Sequence, residues 1–327
     1  MTVRLIDGFE RVHRDLRISI TDRCNFRCTY CMPEEGMVWQ PREELLSFEE
    51  IERVARLMVD RYGVDSIRLT GGEPTLRARL PVLVEKLAAL GVDLSMTTNA
   101  STMRMLAEDL MKAGLKRVNI SCDSLRADRF RELTRRDDLG KVLDGIDAAL
   151  EVGFDPVKIN CVVMRGVNDD EILDFVEYGR DKGVEIRFIE FMPLDGDEAW
   201  SNGSVFSQAE ILAAIEAEYP LEPYDRTSAP AGRWRFRDGR GSVGIVASVT
   251  QSFCSTCDRV RMTADGQFRN CLFAVEETDL RTLLRSGAGD DELAAVIEAA
   301  VAAKWAGHGI NEVHFIRPRR SMSQIGG

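Results

Sequence analysis

The chain has 327 residues, with 43 lysines and arginines against 54 aspartates and glutamates, a formal net charge of −11. That balance argues against a general nucleic-acid binder, which carries a basic footprint, and leaves an anionic small substrate possible where basic residues converge. Apolar residues make up 44% of the chain, enough for a sizeable core in a protein long for one compact domain and short for three. Met1 to Gly8 has no apolar signal core, and no run approaches a membrane span. A cytoplasmic protein without membrane partners is expected, its eight cysteines thiols rather than disulfides.

From Leu16 to about Met192, strand and helix patterns alternate. Strands are predicted at Leu16–Thr21, Ser66–Thr70, Asp93–Asn99, Arg117–Asp123, Pro156–Val163 and Glu185–Met192. Helices fall near 49–61, 76–90, 102–113, 140–152 and 169–182, with stop signals such as Gly63, Gly91, Gly114, Gly153 and Gly183. Repeated strand–helix units imply a parallel sheet, doubly wound or a barrel. Polar residues discriminate, because a parallel strand covered on both faces should be nearly all apolar. Arg17, Ser19 and Thr21 share one parity, as do Arg68, Thr70 and Gly72, Thr97 and Asn99, Asn119, Ser121 and Asp123, and Lys158 and Asn160. One wet face repeated over the strands suggests a barrel lumen. After Met192 the pattern turns to a helix near Ser207–Glu218, short strands at Gly232–Arg237 and Ser242–Val249, a hairpin turning at Asp265-Gly266, and a helix near Asp291–Lys304. The predicted fold is α/β, an incomplete (β/α)6 TIM-type barrel over 1–195. A C-terminal α+β extension, 196–327, closes the open side. Chemistry in such barrels sits at the C-terminal strand ends.

Cys24, Cys28 and Cys31 follow the first strand as C-x3-C-x2-C. Thiolates hold a four-iron cluster one per iron, so three ligands leave one iron open. An amine plus carboxylate from an amino-acid head group suits that iron. A structural zinc would need a distant fourth ligand, and His13, His308 and His314 are the only histidines. Cys254, Cys257 and Cys271 form a second trio, a C-x2-C turn completed from the returning hairpin. Zinc with His308 or His314 is the alternative there. Between the cysteines, Arg259 and Arg261 share one strand face, and two guanidinium forks suit phosphate oxygens. Cys122 and Cys161 read as buried core thiols.

The stretch Cys24-Asn25-Phe26-Arg27-Cys28-Thr29-Tyr30-Cys31 resembles the signature of the radical S-adenosylmethionine (SAM) superfamily, and Gly71-Gly72-Glu73-Pro74 resembles its second, SAM-binding segment. Both trios together with Cys257-Asp-Arg259-Val260-Arg261 resemble the molybdenum-cofactor biosynthesis protein A family, the GTP 3′,8-cyclases, nearly end to end. The resemblance implies two [4Fe-4S] clusters and SAM as cofactors. A 5′-deoxyadenosyl radical would take the ribose C3′ hydrogen of GTP, and the C3′ carbon would join guanine C8. By motif it implies Arg17, Arg68, Thr97, Lys158, Arg259, Val260 and Arg261 as GTP contacts, with Arg17, Arg259 and Arg261 catalytic. Tyr30, Gly72, Ser121 and Met192 would contact SAM, although Met192 alone reads as core. The terminal Gly326-Gly327 would thread into the site. A homodimer, a one-electron reductant and hand-over to a pterin-forming synthase are also implied. Ala100 and Cys122 depart from the family pattern at positions that touch no expected ligand. The alternatives are a radical SAM peptide-modifying enzyme with an auxiliary cluster, or a regulatory module bearing zinc or a cluster.

Overall fold

Strand and helix alternate as the periodicity predicts. The chain runs β1 (Asp15–Ser19), α1 (Phe48–Tyr62), β2 (Ser66–Thr70), α2 (Leu80–Ala88), β3 (Asp93–Thr98), α3 (Met103–Lys112), β4 (Arg117–Ser121), α4 (Ala127–Thr134), α5 (Leu139–Glu151), β5 (Val157–Val163), α6 (Ile172–Lys182) and β6 (Glu185–Glu190). It continues through α7 (Gln208–Glu216), β7 (Leu221–Tyr224), β8 (Gly232–Phe236), β9 (Ser242–Val246), β10 (Arg259–Met262), β11 (Gln267–Arg269), β12 (Thr278–Asp279), α8 (Leu280–Arg285), α9 (Asp290–Ala302) and α10 (Met322–Ile325). The structure is a computed structural model and describes residues 3–33, 37–194, 200–224, 229–312 and 315–326. The expected boundary at 195, His314 and Gly327 lie outside the described residues.

The helices form where local chemistry starts and stops them. Ser47 caps α1 in a reciprocal box with Glu50, and Gly63 ends the helix in the left-handed region. Its buried stripe of Ile51, Val54, Ala55, Met58 and Tyr62 packs on the sheet. Between them, α4, β7, β12 and α8 went unmarked in the sequence. They are short, and their apolar residues are too few to show a period.

The described strands form one 12-stranded sheet, ordered β12-β11-β10-β1-β2-β3-β4-β5-β6-β9-β8-β7. Its central strands β1 to β6 are parallel and sequential. The C-terminal third adds to both edges: β10 pairs parallel with β1, and β9 parallel with β6. The open side is thus flanked from both directions, while β12 and β7 remain the ends of an unclosed sheet. One side of the strands packs against the helices through Leu16, Ile18, Ile67, Leu69, Met96, Val118, Ile120, Ile159 and Val260. The other side carries the polar residues. Among the described residues, no helix is long and apolar enough to cross a membrane.

Candidate active site

The pairing register sets the polar face in rows. Arg261 on β10 lies beside Arg17 on β1, which lies beside Arg68 on β2. Neighbouring strands stand about 4.8 Å apart, so three guanidinium stems rise side by side. One step back, Arg259 pairs with Asp15. Across the sheet, Thr97, Asn119, Lys158 and Glu185 form a second row, and Ser121, Asn160, Arg187 and Gly244 a third. A single cavity is lined by Arg17, Arg68, Arg259 and Arg261, by Thr97, Ser121 and Arg187, and by all six clustered cysteines. Tyr30, Gly72 and Met192 line it too.

The arginines are short of partners. Arg17 Nε and Arg259 Nη1 are buried without a hydrogen-bond acceptor, and the nearest acid to Arg17 is Asp15 at 3.9 Å. Burial lowers the affinity of Arg17, Arg68 and Arg261 for their protons, and each is lowered further by a neighbouring arginine. Arg68 is brought down to about 9. Mutually repelling buried cations with free donors fit a polyanion such as a triphosphate. Lys158 stands apart from the cavity lining. It pairs with Glu185 at 3.0 Å, and that carboxylate also accepts from Arg187 at 2.7 Å and Arg233 at 2.8 Å. The Val260 side chain is fully buried in the core, which leaves only its backbone available to a ligand.

The first trio sits on the loop after β1, held by its backbone. The Cys31 and Met32 N–H groups donate to Cys28 O, and Arg27 and Thr29 N–H donate to the C-terminal end of α4 at Thr134 and Leu133. Arg27 Nη1 reaches Cys24 O at 2.8 Å, and Arg136 Nε reaches Asn25 O at 2.8 Å. Tyr30 is anchored through its hydroxyl to Asp123 Oδ2 at 2.7 Å. Gly72 presses against this loop: its N–H donates to Thr21 O, and a Cβ there would lie 2.3 Å from Arg23 O. Glu73 is buried and accepts from Thr75, from Thr98 Oγ1 and from Asn99 N, tying the turn after β2 to the end of β3. Burial and the Glu73 carboxylate push the Cys24 thiol up to about 11. Cys28 and Cys31 are also raised, chiefly by burial.

The second trio has the opposite surroundings. Burial works against the Cys254 thiolate, but hydrogen bonds from His308 and Ser252 bring it down to about 7. Cys257 is lowered despite burial, by the charges of Arg259 and Lys304. His308 Nδ1 accepts from the Ile310 N–H at 3.2 Å. Phe253 lies at the cavity wall under Arg259, 4.9 Å from its guanidinium. Among the described residues, no group of three or more His, Cys, Asp or Glu converges tightly enough for a single metal ion. A four-iron cluster takes one thiolate per iron, and each trio offers three thiols to one cavity.

The tail enters the same space. Gly326 O accepts from Arg261 Nη1, and a Cβ on Gly326 would lie 2.7 Å from Thr70 Cγ2. Residues that the sequence reading missed include Arg187, Phe253, Arg11 and Lys304. Arg187 shares the parity of Glu185 on β6 and could have been found by that rule. The others lie on loops or ends with no periodic signal.

Known proteins resemble this chain in sequence and in fold. The Radical SAM superfamily profile matches residues 18–179, and the Molybdenum Cofactor Synthesis C profile matches 184–310. A GTP 3′,8-cyclase of Streptomyces coelicolor is 48% identical over 99% of this chain and 96% of its own length. One from Mycobacterium sp. (strain KMS) is 49% identical over 99% and 93%. Among solved structures, Streptococcus suis SuiB matches at TM-score 0.64 and 16% identity, covering 90% of this chain and 68% of that one. Methylornithine synthase matches at TM-score 0.53 and 16% identity, covering 88% and 86%. These structural likenesses concern the fold alone.

Proposed function

We propose that this chain, which belongs to the GTP 3′,8-cyclase family of the radical SAM superfamily, converts GTP into 3′,8-cyclo-7,8-dihydroguanosine 5′-triphosphate, the first pterin precursor of molybdenum cofactor. The observation that carries the reading is one cavity into which both cysteine trios and the arginine row open. SAM on a reduced [4Fe-4S] cluster would supply a 5′-deoxyadenosyl radical to remove the ribose C3′ hydrogen.

The protein's own residues do the holding. Cys24, Cys28 and Cys31 would bind the first cluster, with Tyr30, Gly72, Ser121 and Met192 around SAM. Cys254, Cys257 and Cys271 would bind a second cluster, whose three-thiolate shell would leave one iron for the purine. Arg17, Arg259 and Arg261 would hold the triphosphate, with Arg68, Thr97 and the Val260 backbone completing the substrate wall. The unfilled Nε of Arg17 and Nη1 of Arg259 support that role, since an anion entering there meets charge and open donors. Lys158 acts from behind, through Glu185 and Arg187, unless GTP draws it away from the carboxylate. The buried wall keeps water from the reacting carbons. The same proposal includes a division into 1–195 and 196–327, a homodimer, a one-electron reductant and product hand-over to a pterin-forming synthase.

The test is anaerobic incubation of the reconstituted protein with SAM, reductant and GTP. Formation of 5′-deoxyadenosine together with a cyclised triphosphate isobaric with GTP supports the reading. Formation of 5′-deoxyadenosine with GTP left unmodified rejects it in favour of another radical SAM substrate.

A further inference from the structure

Lys304 follows α9 and is 4% exposed. An ammonium carries three donors and no acceptor, and here each donor has a partner. Nζ donates to Arg259 O at 2.7 Å, to Cys257 Sγ at 3.5 Å and to His13 Nε2 at 2.8 Å. None of those three acceptors is a carboxylate, and burying an unpaired cation is costly. The one partner able to carry a full negative charge is the Cys257 sulfur. His13 is itself fully buried, and as the acceptor it is neutral, with its proton on Nδ1. Asp7 Oδ2 lies 3.6 Å from His13 Nε2 and 2.6 Å from Arg11 Nε. Arg11 in turn donates to the backbone oxygens of Cys254 at 2.7 Å, Trp305 at 2.6 Å and Ala306 at 2.8 Å. The N-terminal segment therefore clasps both the 254–257 turn and the Lys304 end of α9. Among the described residues the side-chain donors at the first trio's sulfurs are neutral: the Asn99 amide, 3.9 Å from Cys24, and the Tyr30 hydroxyl toward Cys28.

We propose that Lys304 is a positioning residue for the second cluster, its charged N–H···S hydrogen bond holding Cys257 in place and stabilising the more reduced, more negative cluster. The proposal rests on the second trio binding a cluster. A fixed positive charge beside a thiolate ligand favours the reduced state, and it sits on the side of the site from which the Arg259 backbone is also held.

The test uses the full-length chain with Cys24, Cys28 and Cys31 replaced by alanine, so that only the second cluster reports. Iron content and a redox titration followed by electron paramagnetic resonance are compared in that parent, in Lys304→Met and in Lys304→Arg. A parent that binds no cluster refutes the cluster itself rather than the role of Lys304. With a cluster present, Lys304→Met is expected to disfavour reduction by about tenfold, about 59 mV for one electron, or to lose the cluster. Lys304→Arg, which keeps the charge, is expected to stay nearer the parent in both. Parity of Lys304→Met with the parent overturns the proposal. Equal impairment in both variants also overturns it, because shape rather than charge would then be the cause.

Discussion

The two cysteine trios face one cavity from opposite electrostatic sides. The first lies on a loop after β1, among Glu73, Asp123 and its own sulfurs, and all three thiols are pushed up. The second lies among Arg259, Lys304, Arg11 and His308, and two of its three thiols are pulled down; Cys271 stays raised by burial. Ligand count is the same and burial raises the thiols of both trios, so the difference lies in the hydrogen bonds and cations that offset burial at Cys254 and Cys257. A sulfonium substrate is cationic and suits the acidic side. A triphosphate is anionic and suits the arginine side. On the proposed assignment of the two sites, the protein sorts two ligands within one cavity by field as well as by shape.

The largest expected effect breaks the comparison outright. Cys28→Ala should abolish 5′-deoxyadenosine formation, whereas Cys257→Ala should keep SAM cleavage and lose the cyclised triphosphate. Chromatography of both products checks this, and equal loss of SAM cleavage in the two variants would contradict it. Next comes the anion side. Replacing Arg259 and Arg261 together by alanine removes two charged hydrogen-bond donors, each worth roughly 1.5–3 kcal/mol. GTP should bind at least about 100-fold more weakly while SAM cleavage survives; calorimetric titration decides, and unchanged GTP affinity would remove the phosphate role.

A smaller effect sharpens the acidic side. In Gly72→Ala the new Cβ would meet Arg23 O at 2.3 Å and Asp22 O at 2.5 Å, both backbone. Such overpacking costs about 1–3 kcal/mol. Melting temperature and SAM affinity should fall, while GTP affinity changes little. The smallest effect is kinetic. In the metal-free protein at pH 7.5, Cys254, with its pKa near 7, is mostly thiolate. Cys24, near 11, is thiolate in on the order of one molecule in a thousand or fewer. Brief alkylation followed by peptide mass spectrometry should label Cys254 first. Raising the pH should narrow the gap, because only the Cys24 thiolate fraction has far to rise. Equal labelling at pH 7.5 would erase the electrostatic contrast.

Much of this was legible in the sequence, and the reasons are physical. Strand parity survives in a single chain, so Arg17, Arg68, Thr97, Ser121 and Asn160 could be placed on one face before any fold was known. The cysteine spacings are local, and they named both trios. What escaped was nonlocal. Nothing in the sequence announces that β10 pairs with β1, which is what sets Arg261 beside Arg17. The Val260 side chain points the other way by the same parity that placed the arginines. Arg11, His13 and Lys304 are single residues separated by up to 293 positions, and only the fold joins them around the Cys254–Cys257 turn. The eight-residue α4 shows too little period to predict, yet it holds the first cysteine loop.

The most direct test of the sorting of ligands is electron paramagnetic resonance on two full-length chains, one keeping only the first trio and one only the second. The signal of the first should shift on adding SAM and not GTP, and that of the second on adding GTP and not SAM. If GTP leaves the second signal unchanged, or perturbs the first alone, the two trios do not divide the ligands between them.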